Sequence, residues 1–384
     1  MKNIIYCDNA ATTKTRPEVI ESMLPVFSDC FGNASSLHKE GQKAKKLLDN
    51  ARNTVSKALN CESSEIVFTS GGTESNNIAI CGLADWAKEN EPSKNHIITC
   101  ITEHSSVRQP IKELEQKGFK VTWLKVNQEG FINLEELEKS ITEKTLLVSI
   151  MHANNEIGTI QDIKSIGEIC NSKSVFFHAD AVQSAGKIPL DLKQNKIDLL
   201  SISGHKIYGP KGIGILYVKN NLKLKPLLFG GSQERGFKPG TENLPSIVGI
   251  AKALELKVLE LEAEILKLRK FQNLLFTEIF KLPNMVLNGT PDLEKRIPGN
   301  INISFQNLDG DAATMKLNLN GICASSGSAC SEGGIEPSPV IEALYLNDNS
   351  QKYLAYNSLR ISLGLFNEEK DILIIAEAIK SLIN

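Results

Sequence analysis

The sequence predicts an α/β fold, in which a mainly parallel seven-stranded sheet is covered by helices and a smaller α+β domain follows. Three observations predict it. The chain has 384 residues, more than one hydrophobic core usually serves. Short β-branched runs alternate with helical patterns between residues 65 and 218, as in parallel sheets with helices on both faces. The pattern then changes to long stretches of helical spacing.

Seven apolar runs predict the strands of the large sheet. They lie at 66–69, 96–99, 121–124, 146–150, 174–177, 199–202 and 213–218. Each is short and rich in Val, Ile, Leu or Phe, which is typical of buried strands. Ligands of such sheets bind at the carboxyl ends of the strands, so we expect the functional residues just after these runs.

The remainder of the chain predicts a second domain. Apolar residues at helical spacing from Ser246 to about Leu282 predict one long connecting helix. Beyond it, strands are predicted at 301–305 and 359–363 and a helix at 368–382. We place the large domain at 15–255 and build the small domain from 1–14 and 256–384.

Composition restricts the possible partners and the compartment. The 43 basic and 45 acidic residues give a net charge of −2, without a block of like charge that would suit nucleic acid or a membrane surface. The eight cysteines are scattered without a C-x-x-C pair, which favours a reducing compartment, and we expect no metal site. The first 15 residues lack the apolar core of a signal peptide, and no stretch is long enough to span a membrane. We therefore expect a cytoplasmic protein.

One lysine has the setting of a cofactor anchor. Lys206 follows the apolar run 199–202, and Asp180 follows a similar run upstream. An amine and a carboxylate at neighbouring strand ends suit pyridoxal phosphate, whose aldehyde needs an amine and whose pyridinium nitrogen needs an acid. The alternative for Asp180 is an ordinary helix N-cap.

Other polar residues near these strand ends would complete the cofactor site. Gly72 and Thr73 follow the first strand and begin a helical stretch, where backbone N–H groups and the helix dipole favour a phosphate. The alternative is a turn that caps an ordinary helix. Ser203 and His205 could also reach the phosphate, and Gln183 could hydrogen-bond the phenolic oxygen of the ring.

Three further residues suit the handling of a substrate. His104 lies where the second predicted strand ends and could stack on a pyridine ring or move protons, although a lone histidine is more often a satisfied loop residue. Arg360 lies in a short strand-like run, where its guanidinium suits bidentate binding of a carboxylate; an intramolecular salt bridge is the common alternative. Asn155, in a turn after another strand, could add a polar contact.

A second reactive centre is predicted at Cys330. Small residues and glycines surround it from 324 to 334, which predicts a mobile, partly exposed loop in which a thiolate could act as a nucleophile. Cys100 and Cys170 lie in more apolar segments, as structural cysteines do. We favour a structural interpretation for all seven other cysteines, with Cys323 the least certain.

Several motifs in this order resemble the NifS/IscS-type cysteine desulfurases, which belong to the class V aminotransferase group of fold-type I pyridoxal-phosphate transferases. The similarity extends over nearly the whole chain. The motifs that carry it are 8–13, 32–38, 73–77, 103–104, 154–158, 180–183, 203–206, 239–241 and 326–330.

The resemblance implies a role for each candidate. Lys206 would hold the cofactor and His104 would stack on it, with the remaining cofactor contacts made by Gly72, Thr73, Asp180, Gln183, Ser203 and His205. Thr241 would reach the phosphate bound by the neighbouring subunit, which makes a homodimer part of the site. Arg360 and Asn155 would hold the carboxylate of L-cysteine. Cys330 would carry the sulfur as a persulfide to an iron–sulfur scaffold protein or another acceptor.

Two other functions remain open from the sequence. One is another lyase or transaminase of the same fold, such as a selenocysteine lyase, in which Cys330 could be dispensable. The other is a catalytically silent scaffold that only docks a partner, although Lys206, Asp180 and Cys330 are all present.

Overall fold

The computed structural model describes residues 4–280, 282–326, 337–346 and 348–383. The chain begins with a short strand and two helices that precede the large sheet. These elements are β1 (Ile5–Tyr6), α1 (Pro17–Ser28) and α2 (Lys39–Ala58).

The large sheet has seven strands, as predicted. They are β2 (Ile66–Thr69), β3 (His96–Cys100), β4 (Lys120–Leu124), β5 (Thr145–Met151), β6 (Phe176–Asp180), β7 (Leu199–Ser203) and β8 (Gly214–Val218). Their order is β2-β8-β7-β6-β5-β3-β4, and among these described strands β8 alone runs opposite to the other six. The mainly parallel α/β fold is therefore confirmed.

One predicted strand is displaced. The run at 174–177 begins its strand only at Phe176, because Ser174 has a positive φ of 54° and still belongs to the preceding turn. The strand continues to Asp180, so this carboxylate is part of β6 rather than the residue after it.

Helices cover both faces of the sheet. They include α3 (Gly72–Asn90), α4 (Ser105–Gln116), α5 (Leu134–Ser140), α6 (Ile163–Ser172) and α7 (Leu244–Leu259). The next helix, α8 (Leu261–Ile279), packs in the core of the second domain instead. Successive strand residues point to opposite faces. Leu147 packs with α3 on one face, whereas Val148 packs with α2 and α7 on the other.

The prediction of one long connecting helix is wrong in one respect. Two helices, α7 and α8, meet at Glu260, whose backbone (φ −103°, ψ 5°) departs from helical geometry. Both carboxylate oxygens of Glu260 accept hydrogen bonds from Arg16, at 2.6 and 3.1 Å. The sequence has no glycine or proline between residues 250 and 282, so it could not indicate the break.

The second domain is an α+β unit, as predicted. Its elements are β9 (Met285–Leu287), β10 (Asn300–Phe305), α9 (Gly310–Leu319), β11 (Ile322–Cys323), β12 (Ser325–Ser326), α10 (Pro339–Leu344), β13 (Ser358–Ser362) and α11 (Glu369–Ile383). Strands β12, β13, β10 and β9 form an antiparallel sheet, and β11 pairs with β1.

The division into residues 15–255 and residues 1–14 with 256–384 stays a prediction. We propose it because Ile5 and Leu268 lie in the same hydrophobic core as Ile301 and Ile375.

Among the residues that the structure describes, no helix is long and apolar enough to cross a bilayer.

Candidate active site

A cavity of about 610 Å³ lies at the carboxyl ends of the central strands of the large sheet. It brings together ten of the twelve predicted site residues: Gly72, Thr73, His104, Asn155, Asp180, Gln183, Ser203, His205, Lys206 and Arg360. Thr241 is exposed in the segment before α7 and is not among the described lining residues. Cys330 lies outside the described residues. The roles of all twelve stay predictions.

The amine of Lys206 is held in the cavity wall by main-chain oxygens. A single 3₁₀ turn, Gly204–Lys206, follows β7 and carries the lysine into the cavity. Its Nζ donates hydrogen bonds to the carbonyl oxygens of Ala10 and Ala11, both at 2.6 Å. Sequence patterns do not reveal this role of the 8–13 segment, because main-chain acceptors carry no residue-specific signal.

Asp180 is the last residue of β6 and is 5% exposed. Its Oδ1 accepts the N–H of Val182 at 2.9 Å, and its Oδ2 accepts a hydrogen bond from Asn76 Nδ2 at 2.8 Å. The alternative of a helix N-cap is not what the structure shows, since residues 182–187 form turns rather than an α-helix. Burial of a carboxylate is costly unless its oxygens are bonded, and each oxygen here has one bond.

His104 is the N-cap of α4 and also lines the cavity. Its Nδ1 accepts the N–H of Ser106 at 3.2 Å and lies 2.8 Å from the hydroxyl oxygen of the same serine. Burial lowers the pKa of His104, while the carboxylate of Asp180 opposes this effect and the ammonium of Lys206 adds to it. The imidazole is therefore neutral near pH 7.

The start of α3 forms the part of the cavity suited to a phosphate. Gly72 and Thr73 are the first residues of this 19-residue helix, whose N-terminal N–H groups and dipole favour an anion. A Cβ atom on Gly72 would lie 2.6 Å from Cγ2 of Val182. Only glycine therefore fits between the helix and the turn that follows Asp180.

Ser203 and His205 face the same region from the end of β7. Nδ1 of His205 lies 3.2 Å from the hydroxyl oxygen of Thr12. Burial, together with the ammonium groups of Lys206, Lys211 and Lys187, lowers the pKa of His205 to about 4. His205 is thus a neutral hydrogen-bonding group among several cations.

Arg360 is buried on β13 and reaches the cavity from the second domain. One terminal nitrogen pairs with Asp8 at 2.8 Å, and the other donates to the carbonyl oxygen of Asn155 at 3.1 Å. The salt bridge that the sequence left open is thus present. However, Nε of Arg360 is buried and has no hydrogen-bond partner among the described residues.

Gln183 is held from both ends of its amide. Its Nε2 donates to the carbonyl oxygen of Ala10 at 2.9 Å, and its Oε1 accepts from Nζ of Lys187 at 3.1 Å. Lys187 was not singled out by the sequence, where it looks like one more surface lysine. Burial, reinforced by Lys257 and Lys206, lowers the pKa of Lys187 to about 7.

Most of the other thiols are unsuited to act as nucleophiles. Burial raises the pKa of Cys61, Cys100 and Cys170 to about 12 and that of Cys81 to about 11. A thiol with such a pKa is almost never a thiolate at neutral pH. This supports a structural interpretation of these cysteines.

A lysine and an acid lie on neighbouring strand ends and face the start of a long helix, and similar solved structures confirm the fold-type I architecture. The family model of the class V aminotransferases matches residues 5–375, and the chain belongs to this family. Members of the family are pyridoxal-phosphate-dependent enzymes.

Individual relatives are similar over the full length of the chain. The protein is 46% identical to "Cysteine desulfurase IscS" of Clostridium botulinum, over 100% of this chain and 95% of the relative. The solved structure "NIFS-LIKE PROTEIN" has a TM-score of 0.90 and 36% identity and covers 99% of both chains. "SspA in complex with cysteine" has a TM-score of 0.80 and 36% identity, over 94% of this chain and 99% of that chain.

Proposed function

We propose that this protein is a cysteine desulfurase that uses pyridoxal phosphate, converts L-cysteine to L-alanine and collects the sulfur on Cys330. One observation carries the proposal: Lys206, Asp180 and Arg360 line a single cavity. In one site, these residues would serve as the anchor of the cofactor, the partner of its ring and the cation for a substrate carboxylate. The full-length similarity to proteins named cysteine desulfurase supports this choice of substrate and reaction.

The residues of the cavity fit pyridoxal phosphate. Lys206 would form the covalent link, and the buried carboxylate of Asp180 would pair with the ring nitrogen. The phosphate would be held by Gly72, Thr73, Ser203 and His205, and the phenolic oxygen by Gln183. Once bound, the cofactor withdraws electrons from the α-carbon of an amino acid.

Residues around the cofactor would orient the substrate and exchange its protons. Arg360 and Asn155 bind the carboxylate of L-cysteine, which would give the buried Nε of Arg360 an acceptor. The amine of Lys206 exchanges a proton with the α-carbon of the substrate. His104 exchanges a proton with the substrate sulfur, which departs from the carbon skeleton. A neutral His104 can do this near pH 7.

The sulfur leaves on the protein. The Cys330 thiolate attacks the substrate sulfur, so that an S–S bond forms while the Cβ–S bond breaks and its electron pair stays with the carbon skeleton. Protonation of that skeleton gives L-alanine, and the protein holds a persulfide. A thiolate is needed because a neutral thiol is a poor nucleophile. The net change converts L-cysteine and a thiol into L-alanine and a persulfide.

Beyond the reaction, we propose a cytoplasmic homodimer that passes its sulfur to an iron–sulfur scaffold protein or another acceptor. Thr241 would contribute to the phosphate site of the neighbouring subunit. Its exposure before α7 leaves it accessible to such a subunit.

The proposal is tested by mass spectrometry after the enzyme is incubated with L-cysteine. We expect one added sulfur on the peptide that contains Cys330, together with L-alanine in the solution. Cys330→Ala should abolish both products, whereas Cys323→Ala is the matched control and should form both. L-alanine formed at the original rate by Cys330→Ala would contradict the assigned nucleophile and favour a lyase of the selenocysteine type. An enzyme that binds the cofactor but forms no L-alanine would contradict the proposed reaction.

A further inference from the structure

Two buried residues connect Asp180 with His104. Asn76 lies on α3 and Ser106 at the start of α4, and their exposed fractions are 0% and 7%. Asn76 Nδ2 donates to Oδ2 of Asp180 and to the hydroxyl oxygen of Ser106, at 2.8 Å in both cases. The Ser106 hydroxyl oxygen lies 2.8 Å from Nδ1 of His104. These contacts form a continuous chain from the acid to the imidazole.

The directions of the hydrogen bonds in this chain follow from its two ends, the carboxylate of Asp180 and the ring of His104. An ionised carboxylate can only accept, so Asn76 must turn its NH₂ group, and not its carbonyl, towards Asp180. The same NH₂ group then donates to Ser106. The serine oxygen can accept a second hydrogen bond, so its direction towards His104 is set by the ring: Nδ1 accepts the backbone N–H of Ser106 and therefore accepts the serine hydrogen as well.

An unsatisfied oxygen of Asn76 supports this orientation of its amide. With its NH₂ group turned to Asp180 and Ser106, Asn76 leaves its Oδ1 buried without a hydrogen-bond partner among the described residues. The reversed amide would place this oxygen against the carboxylate, acceptor to acceptor. The orientation is therefore set by the charge of Asp180 rather than by the needs of the amide itself.

At His104, two donors converge on one ring nitrogen. Nδ1 accepts from the Ser106 hydroxyl and also from the Ser106 N–H, at 3.2 Å. A nitrogen that accepts carries no hydrogen, so the hydrogen of the neutral ring is on Nε2.

We propose that Asn76 and Ser106 are positioning residues, which transmit the ionisation of Asp180 to His104 and hold its imidazole in the Nε2–H tautomer. His104 then presents its hydrogen through Nε2, and a proton that Nε2 gives up is replaced there from solvent, because a proton on Nδ1 would displace both contacts from Ser106. The catalytic meaning rests on the proposed function, whereas the tautomer itself does not. The lowered pKa of His104, caused mainly by burial, agrees with a ring that is neutral before the reaction begins.

The direct test is ¹⁵N NMR of the purified enzyme with ¹⁵N-labelled histidine, recorded near pH 7.5 without L-cysteine. The chain has six histidines, and His104→Gln assigns the signal of His104. We expect an unprotonated Nδ1 and a protonated Nε2 at His104. Protonated Nδ1 in the wild-type enzyme would overturn the proposal.

Variants then test the relay, by which we mean the hydrogen-bond chain from Asp180 through Asn76 and Ser106 to His104. Ser106→Ala and Asn76→Leu should each move the Nδ1 resonance towards that of a ring nitrogen that accepts fewer hydrogen bonds. Ser106→Thr keeps the hydroxyl and should restore the wild-type resonance. Asn77→Ala is the matched control, since Asn77 is the next residue on α3 and bonds only its own helix, through Thr73 O at 2.9 Å, in the contacts described. An unmoved Nδ1 resonance in both folded test variants would refute the relay.

Kinetics give a second readout. Ser106→Ala should lower kcat for L-alanine formation about 10-fold, less than the roughly 10²–10⁴-fold that a general acid or base itself contributes, and leave KM unchanged. A rise in KM alone would mean that Ser106 only shapes the cavity. Because the NMR result needs no turnover, failure of the relay and failure of the desulfurase proposal are distinguishable.

Discussion

Two buried ion pairs in this molecule differ in whether every nitrogen of the cation has a hydrogen-bond partner. The pair between Lys257 and Glu264 measures 2.5 Å, and its side chains are 1% and 5% exposed. The pair between Arg360 and Asp8 measures 2.8 Å, with 5% and 19% exposure, and it borders the cavity. In the first, the ammonium also lies 5.2 Å from the centre of the Tyr208 ring. In the second, Nε of the guanidinium has no partner among the described residues.

The difference indicates which pair has a further role. A buried cationic nitrogen that has a hydrogen-bond partner serves the fold, whereas a buried nitrogen without one has a place for another acceptor. The carboxylate of an amino acid would supply that acceptor. The two pairs therefore predict opposite responses to substitution, in stability for the enclosed pair and in substrate affinity for the pair at the cavity.

The largest effect is expected from Glu264→Gln, which leaves the Lys257 ammonium buried and uncompensated. Removal of one partner from a buried pair costs about 3–5 kcal/mol of unfolding free energy. Urea unfolding at pH 7 measures this loss. Glu113→Gln is the control, since its pair with Lys117 is more than half exposed and exposed pairs contribute about 0–1 kcal/mol.

The unfolding free energy of Glu264→Gln should depend on pH, and the direction of the change can be stated. Burial already lowers the pKa of Lys257, and Glu264 is the main group that opposes this effect. Without Glu264, the native state binds fewer protons than the unfolded state in the pH range between the lowered pKa of Lys257 and the unfolded value of about 10.4. Stability should therefore rise with pH between 7 and 10. A loss that is the same at pH 7 and pH 9 would show that Lys257 is not the origin of the cost.

A smaller effect is expected from Arg360→Lys, and it should appear in substrate binding. The lysine keeps a positive charge for Asp8 but loses the planar fork that binds a carboxylate with two hydrogen bonds. We expect KM for L-cysteine to rise about 10-fold to 150-fold, which corresponds to about 1.5–3 kcal/mol for a charged hydrogen bond. Steady-state kinetics and a urea titration are the two measurements. An unchanged KM would exclude Arg360 from substrate binding.

The smallest effect is expected when both members of the enclosed pair are replaced by apolar residues. Lys257→Met combined with Glu264→Leu removes both charges together, and such replacements are often neutral or stabilising by about 1–4 kcal/mol. The unfolding free energy should not fall, and kcat/KM should stay at the wild-type value. A loss of activity in this folded variant would connect the enclosed pair to the site and remove the contrast between the two pairs.

The positions of many cavity residues could be predicted because strand and helix patterns alternate along the chain. Strand and helix patterns locate the carboxyl ends of parallel strands, and Asp180 and Lys206 lie at such ends. His104 and Asn155 follow neighbouring strands for the same reason. These positions depend on local periodicity, which a single sequence shows directly.

Long-range polar contacts could not be predicted in the same way. Arg360 and Asp8 are 352 residues apart, and Asn76 and Asp180 are 104 residues apart. Nothing local marks such partners, because an asparagine on a helix or an aspartate in a loop is usually exposed to solvent. The break at Glu260 escaped prediction for the same reason, since its partner Arg16 is 244 residues away.

Anchoring of the cofactor by Lys206 can be measured by borohydride reduction of the purified enzyme and mass mapping of its peptides. We predict a yellow protein whose colour is lost on reduction and whose pyridoxyl group is found on the peptide that contains Lys206. Lys206→Ala should show neither the colour nor the label. A label on Lys187 or Lys211 instead, or a protein that pyridoxal phosphate cannot turn yellow, would contradict the account.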